Sequence, residues 1–187
     1  MMPPDPTPFH LVIIDAGLWP LDFADVALVS PIEVPEPYRG LLVHHQHMTV
    51  TVEDHYHEPV EVQVIATRRD GDSYSREILL ELKSTKKVVQ FGIVRINLTC
   101  LSEPVRNAIL EEKTPLGRVL IEHNVLRHIE PTAFLRITPQ AKLMSWFGMT
   151  TPQVCYGRTG VIFCNDLPAI AVLEILTPIE RNARITA

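Results

Sequence analysis

Between Val60 and Leu98 the chain writes three β-strands in succession, and no other run constrains the fold as much. Val60, Val62 and Val64 alternate with Glu61, Gln63 and Ile65. The turn residues Arg68-Arg69-Asp70-Gly71-Asp72 follow, and Tyr74 to Leu82 alternates again. After the polar stretch Lys83 to Lys87, Val88 to Leu98 supplies a third strand. Asp-Gly is a strong hairpin signal, so the three strands predict an antiparallel meander. One residue in the meander is out of place. Alternation puts Tyr74, Arg76, Ile78, Leu80 and Leu82 on one face, so a guanidinium that cannot shed its proton sits among apolar neighbours. It needs an anion there, either a carboxylate of the protein in a structural ion pair or one brought by a ligand. Only an edge strand would let it reach back to water.

A second charge of the same kind lies near the C-terminus. Val154 to Cys164 reads as a strand that carries Tyr156-Gly157-Arg158, turns at Asn165-Asp166 and returns as Leu167 to Leu176. Glu174 is the only charge in the returning strand and shares a face with Ile170, Val172 and Leu176. Arg76 and Glu174 are thus misfits of opposite sign, with Arg158 on a neighbouring strand as a third. A core pair of Glu174 with Arg76 or Arg158 is one outcome. A buried pair seldom stabilises more than the apolar residues it displaces, so a polar cavity lined by these strands is the other.

The remaining segments supply helices and an arm. Residues 1–37 are proline-rich, which disfavours regular helix and removes strand donors, so an extended arm over the body is expected, with the main domain at 38–187. Tyr38, Leu41, Leu42 and His45 have helical spacing, and Thr49 to Tyr56 leans to helix. Ser102 with Pro104 opens a helix running to about Glu112, and Thr114-Pro115 opens another to about His123. Together they form a helical hairpin suited to lie over a cavity as a lid. Phe134, Leu135 and Ile137 look strand-like, and residues 139–148 look like a short helix.

Composition removes several classes of function. A net charge of -5 and a pI near 5.9, without a Lys or Arg run, argue against a nucleic-acid partner. No apolar run reaches the length of a membrane span and no targeting segment opens the chain, so a cytoplasmic protein is expected. Cys100, Cys155 and Cys164 are an odd number in apolar contexts and read as reduced, packed thiols. Five of the eight histidines, His44, His45, His47, His55 and His57, cluster between residues 44 and 57. Their spacing matches no established metal motif and no cysteine or carboxylate completes a ligand set. A solvated histidine-rich surface is preferred and no metal is assigned.

In their order along the chain, these motifs resemble those of the chorismate lyase family and its relatives. The residues that carry the resemblance are Leu41-Leu42 through Met48-Thr49, Arg76-Glu77-Ile78-Leu79-Leu80, Lys113-Thr114-Pro115-Leu116-Gly117-Arg118, Tyr156-Gly157-Arg158, and Pro168 to Glu174. The resemblance implies an α+β fold, an antiparallel sheet of about six strands with flanking helices and helix-turn-helix flaps over an internal ligand cavity. It implies a cofactor-independent carbon-oxygen lyase that converts chorismate to 4-hydroxybenzoate and pyruvate. In that reading Arg76 holds a substrate carboxylate and Glu174 faces the ring hydroxyl, as the catalytic pair. Met48, Thr49, Leu116, Gly117 and Arg158 complete the substrate-binding set. The partner would be the small molecule alone, and the protein a monomer or small homo-oligomer. The alternative from another class is a non-catalytic binding domain for a small aromatic or carboxylate ligand, because the fold also resembles the effector-binding half of bacterial transcription regulators. No basic winged-helix segment is legible in residues 1–40, which favours the enzyme at this point.

Overall fold

The computed structural model describes residues 23–179. Seven strands form one antiparallel sheet: β1 (Phe23–Val29), β2 (Val60–Asp70), β3 (Ser73–Leu82), β4 (Val88–Asn97), β5 (Arg127–Pro139), β6 (Cys155–Cys164) and β7 (Leu167–Leu176). Their order across the sheet is β1-β5-β6-β7-β4-β3-β2. The predicted meander is β2-β3-β4. Its first turn is tighter than expected, because Arg68, Arg69 and Asp70 remain paired with Ser75, Tyr74 and Ser73 and leave only Gly71-Asp72 at the tip. The expected α+β architecture is present, with seven strands in place of about six. The additional strand, β1, lies within the range expected to be an arm. No proline falls between Pro20 and Pro31, so this stretch keeps its backbone donors and pairs with β5 along the sheet edge. Of that expected arm, residues 1–22 lie outside the described residues.

Among the described residues, five short α-helices pack on the sheet: α1 (Tyr38–Leu42), α2 (Met48–Tyr56), α3 (Glu103–Leu110), α4 (Leu116–Glu122) and α5 (Ala141–Trp146). Side-chain alternation divides the core accordingly. On one face Leu79, Phe91, Ile93, Leu135, Ile137, Leu173 and Ile175 pack against α5 through Leu143 and Trp146. The opposite face carries two separate apolar clusters. One gathers Tyr74, Val94, Ile96 and Val172 under α3 and α4. The other gathers Ile78, Leu80 and Leu176 under α1 and α2. Where the two clusters meet, side chains of both leave a space, and the site lies there.

Candidate functional site

The floor of this space is set by strand register. Ile78 on β3 faces Gly92 on β4, Gly92 faces Glu174 on β7, and Glu174 faces Arg158 on β6, so these four form one row across the sheet. In the adjacent row Arg76 faces Val94, which faces Val172. Gly92 has no side chain to fill the middle of the floor: a Cβ there would stand 3.2 Å from Ile78 Cδ1. The resulting chamber has a volume of about 40 Å³.

Two helix starts form its roof. Met48 and Thr49 open α2, and Leu116 and Gly117 open α4; all four line the chamber and are buried. The first backbone bond of α2 is Thr51 N to His47 O, so the amides of Met48, Thr49 and Val50 have no intrahelical acceptor. Gly117 permits the two helix starts to meet, since a Cβ would sit 3.1 Å from both His47 Cβ and Thr49 Oγ1. Arg118 braces the roof by donating to Glu53 Oε2 at 2.7 Å, and Glu53 also accepts from Val60 N at 3.0 Å.

The two buried arginines differ in what surrounds them. Arg158 is fully committed. Its Nε donates to Glu174 Oε2 at 2.7 Å, Nη1 donates to Leu42 O at 3.0 Å and His44 O at 2.9 Å, and Nη2 donates to Gln46 O at 3.0 Å. It therefore neutralises Glu174 and fastens the segment between α1 and α2 to the sheet. Arg76 is only 2% exposed, yet its Nε and Nη1 have no hydrogen-bond partner among the described residues. Burial pulls its guanidinium below the ordinary value, offset in part by Tyr74 and Glu112. Tyr74 donates its hydroxyl to Glu112 Oε1 at 2.6 Å, and burial together with that carboxylate raises its phenol pKa. Glu112 itself stands outside the chamber lining.

The histidines are occupied with the frame. His44 donates Nε2–H to Leu41 O at 2.6 Å and accepts Gln46 N–H at Nδ1. His45 donates Nδ1–H to Ile129 O at 2.9 Å. His47 lines the chamber and accepts from Arg127 Nε at 2.7 Å through Nε2, so the ring is neutral. Its burial, with Arg127 and Arg158 nearby, pulls its pKa down to about 4. No group of three or more His, Cys, Asp or Glu side chains is placed to hold a metal ion among the described residues.

The structure brings Arg76, Glu174, Met48, Thr49, Leu116 and Gly117 to one chamber. Arg158 stands behind Glu174 with every guanidinium nitrogen engaged. Sequence reasoning missed His47, Gln90 and Gly92, which also line it. Gln90 is 3% exposed and its Oε1 has no partner among the described residues. Alternation from Val94 would have found Gly92 and Gln90 on the same face as Arg76. His47 needed the α1–α2 connection to be known.

No family model matches the chain, and no curated protein matches it. Solved structures do. The effector domain of PhnF from Mycobacterium smegmatis is 10% identical with a TM-score of 0.50, over 71% of this chain and 88% of that one. Another PhnF structure from the same organism is 10% identical at a TM-score of 0.50, over 73% of this chain and 65% of that one. A GntR-family transcriptional regulator from Bacillus cereus is 15% identical over 68% of this chain and 99% of that one; its TM-score of 0.44 is too low to add weight. The likeness shows a fold shared with a regulator's effector domain.

These findings overturn the assignment to chorismate lyases and the reading as a carbon-oxygen lyase of aromatic biosynthesis. No family or curated match supports it, and the neighbours are regulator domains rather than lyases. The physical reason is that the quoted motifs build a strand, a lid and a hairpin, which are parts of a scaffold that non-catalytic domains share. Arg76-Glu77-Ile78-Leu79-Leu80 specifies a floor and Thr114-Pro115-Leu116-Gly117-Arg118 a roof, and neither specifies a reaction. The carboxylate expected to face a substrate hydroxyl already accepts from Arg158. No described helix is long and apolar enough to cross a membrane.

Proposed function

We propose that this chain carries a non-catalytic binding domain for a small carboxylate ligand, aromatic or similarly compact, whose carboxylate sits in the chamber under α2 and α4 and whose remaining bulk is admitted as the two helix starts part. Every lining residue falls between His47 and Glu174, within the proposed domain at 38–187. The observation that supports this reading most is Arg76: a buried guanidinium with two nitrogens lacking partners among the described residues, on the wall of a largely apolar chamber. A carboxylate supplies both the countercharge and paired acceptors that match the guanidinium fork. The free amides at the start of α2 add donors on the roof, and Met48 and Leu116 supply the apolar cover that keeps water from competing. In this arrangement Glu174 and Arg158 position the wall and do no chemistry. The reading is tested by titrating the protein with benzoate, by calorimetry and by thermal shift. Benzoate raises the melting temperature, and Arg76→Met weakens binding by about a hundredfold, the scale of a lost charge-assisted hydrogen-bond pair. Equal affinity for wild type and Arg76→Met sinks the reading.

A further inference from the structure

We propose that Glu112 is a built-in rival of the ligand: held against Tyr74 at the turn between α3 and α4, it answers part of the Arg76 charge and so limits how tightly a carboxylate can bind there. The proposal rests on Arg76 as the anion anchor and deepens that reading by naming what sets the strength of the anchor.

The link is built from the strand and the helix end together. Tyr74 lies two residues from Arg76 on the same face of β3. It is 3% exposed, packs in the cluster under α3 and α4, and donates its hydroxyl to Glu112 Oε1 at 2.6 Å. Glu112 is the second residue after α3 and has a left-handed backbone, with φ at 60°. Glycine or asparagine is the usual choice at such a position, so a glutamate there carries a conformational cost that the contact with Tyr74 offsets. The cations beside it in sequence and register are engaged elsewhere. Lys113 Nζ stands 3.7 Å from Glu111 Oε2, and Arg69, opposite Tyr74 on β2, is exposed and donates Nε to Gly71 O at 3.4 Å. On the chamber side Glu174 already has Arg158 at 2.7 Å. Glu112 is thus the protein carboxylate whose charge bears on Arg76, reaching it through Tyr74 from outside the lining.

Two anions cannot both draw fully on one buried guanidinium. They repel each other, and the protein interior screens that repulsion weakly. A carboxylate bound at Arg76 is therefore held less tightly than it would be beside a neutral residue 112, and by linkage its binding weakens the attraction between Glu112 and Arg76 to the same extent. Glutamine at 112 keeps an acceptor for the Tyr74 hydroxyl and removes only the charge. That substitution separates rivalry from positioning. A residue that aimed Arg76 at the ligand would weaken binding when neutralised, whereas a rival strengthens it.

The test titrates the full chain with benzoate by calorimetry. Glu112→Gln binds benzoate about tenfold more tightly than wild type. Glu111→Gln, which removes the same charge from an exposed side chain beside Lys113, leaves the affinity unchanged. A second readout needs no ligand. In buffer free of carboxylates Glu112→Gln lowers the melting temperature of wild type by about 4 °C, and in the Arg76→Met background, where no buried cation needs a countercharge, it lowers it by less than about 1 °C or raises it. Benzoate binding by Glu112→Gln that is equal to or weaker than wild type overturns the proposal, and so does an equal gain from Glu111→Gln. An equal loss of melting temperature in the two backgrounds also overturns it, because Glu112 would then serve the turn and not Arg76. Failure of the underlying anion-binding reading looks different: benzoate then binds Arg76→Met as tightly as wild type, or leaves the melting of wild type unshifted, whichever residue stands at 112.

Discussion

Arg76 and Arg158 are buried to the same degree, 2% and 1% exposed, on the same face of one sheet, and they serve opposite ends. Arg158 spends its donors on Glu174 and on three backbone carbonyls of the α1–α2 connection. Arg76 leaves two nitrogens without partners among the described residues. A buried arginine is therefore not in itself a sign of a ligand. What separates a strut from an anchor is whether the surrounding fold has already supplied the acceptors. The two also depend on each other. Arg158 ties down the segment leading into α2, and α2 is half of the roof over Arg76.

The widest separation between them is expected on removing the strut. Arg158→Met leaves Glu174 without its cation and three carbonyls without donors. It costs about 3–5 kcal/mol of stability, measured by guanidinium unfolding. A cost below about 1 kcal/mol would make Arg158 no more essential than a surface pair. Next in size is the effect of pH through His47, which lines the chamber and accepts from Arg127. The folded ring titrates near 4, below the ordinary 6.5, because burial and the neighbouring arginines oppose its charge. Between those values the unfolded chain takes up a proton that the folded chain refuses. Stability is therefore intact above about pH 6.5 and falls by about 2–3 kcal/mol as the pH drops towards 4. His44 and His55, also pulled down by burial, add to the slope. His47→Gln flattens but does not abolish it in unfolding curves between pH 7 and 4.5. An unchanged slope in that variant contradicts the role given to His47. The smallest effect is at the brace. Arg118→Ala removes a partly exposed pair with Glu53 and costs under about 1 kcal/mol. It loosens the roof, so benzoate dissociates faster with little change in melting temperature. Stopped-flow release measures this.

Much of the architecture was legible in the chain. Alternation and the turn residues located β2, β3, β4, β6 and β7, and the misplaced charges Arg76 and Glu174 marked the two strands that meet the chamber. The pairing of Glu174 was not legible, for a definable reason. At the β6–β7 turn Cys164 pairs with Leu167 and Phe163 with Pro168; continued unbroken, that register would place Arg158 opposite Leu173. The irregularity between Ile162 and Phe163 shifts it by one residue, so Arg158 faces Glu174. Pro168 was the available signal, since a proline inside a paired strand often accompanies a bulge. β1 was hidden by the prolines around it, although the residues between Pro20 and Pro31 were free to pair. Function was the least legible. Motifs that specify a lid and a floor are the same whether the chamber releases a product or only holds a guest, and distinguishing these requires the partners of each charge, which only the folded chain displays.

The central claim is that Arg76 is kept without a full set of protein partners so that a ligand can supply them. The measurement that tests it most directly is the guanidinium unfolding free energy of Arg76→Met beside wild type, in buffer free of carboxylates. Replacing a buried guanidinium, whose charge Tyr74 and Glu112 offset only in part, by a flexible apolar side chain removes a desolvation penalty, so the variant gains about 1–2 kcal/mol while losing its affinity for benzoate. If Arg76→Met instead loses about 2 kcal/mol or more, then Arg76 is a strut like Arg158, and the chamber was never waiting for an anion.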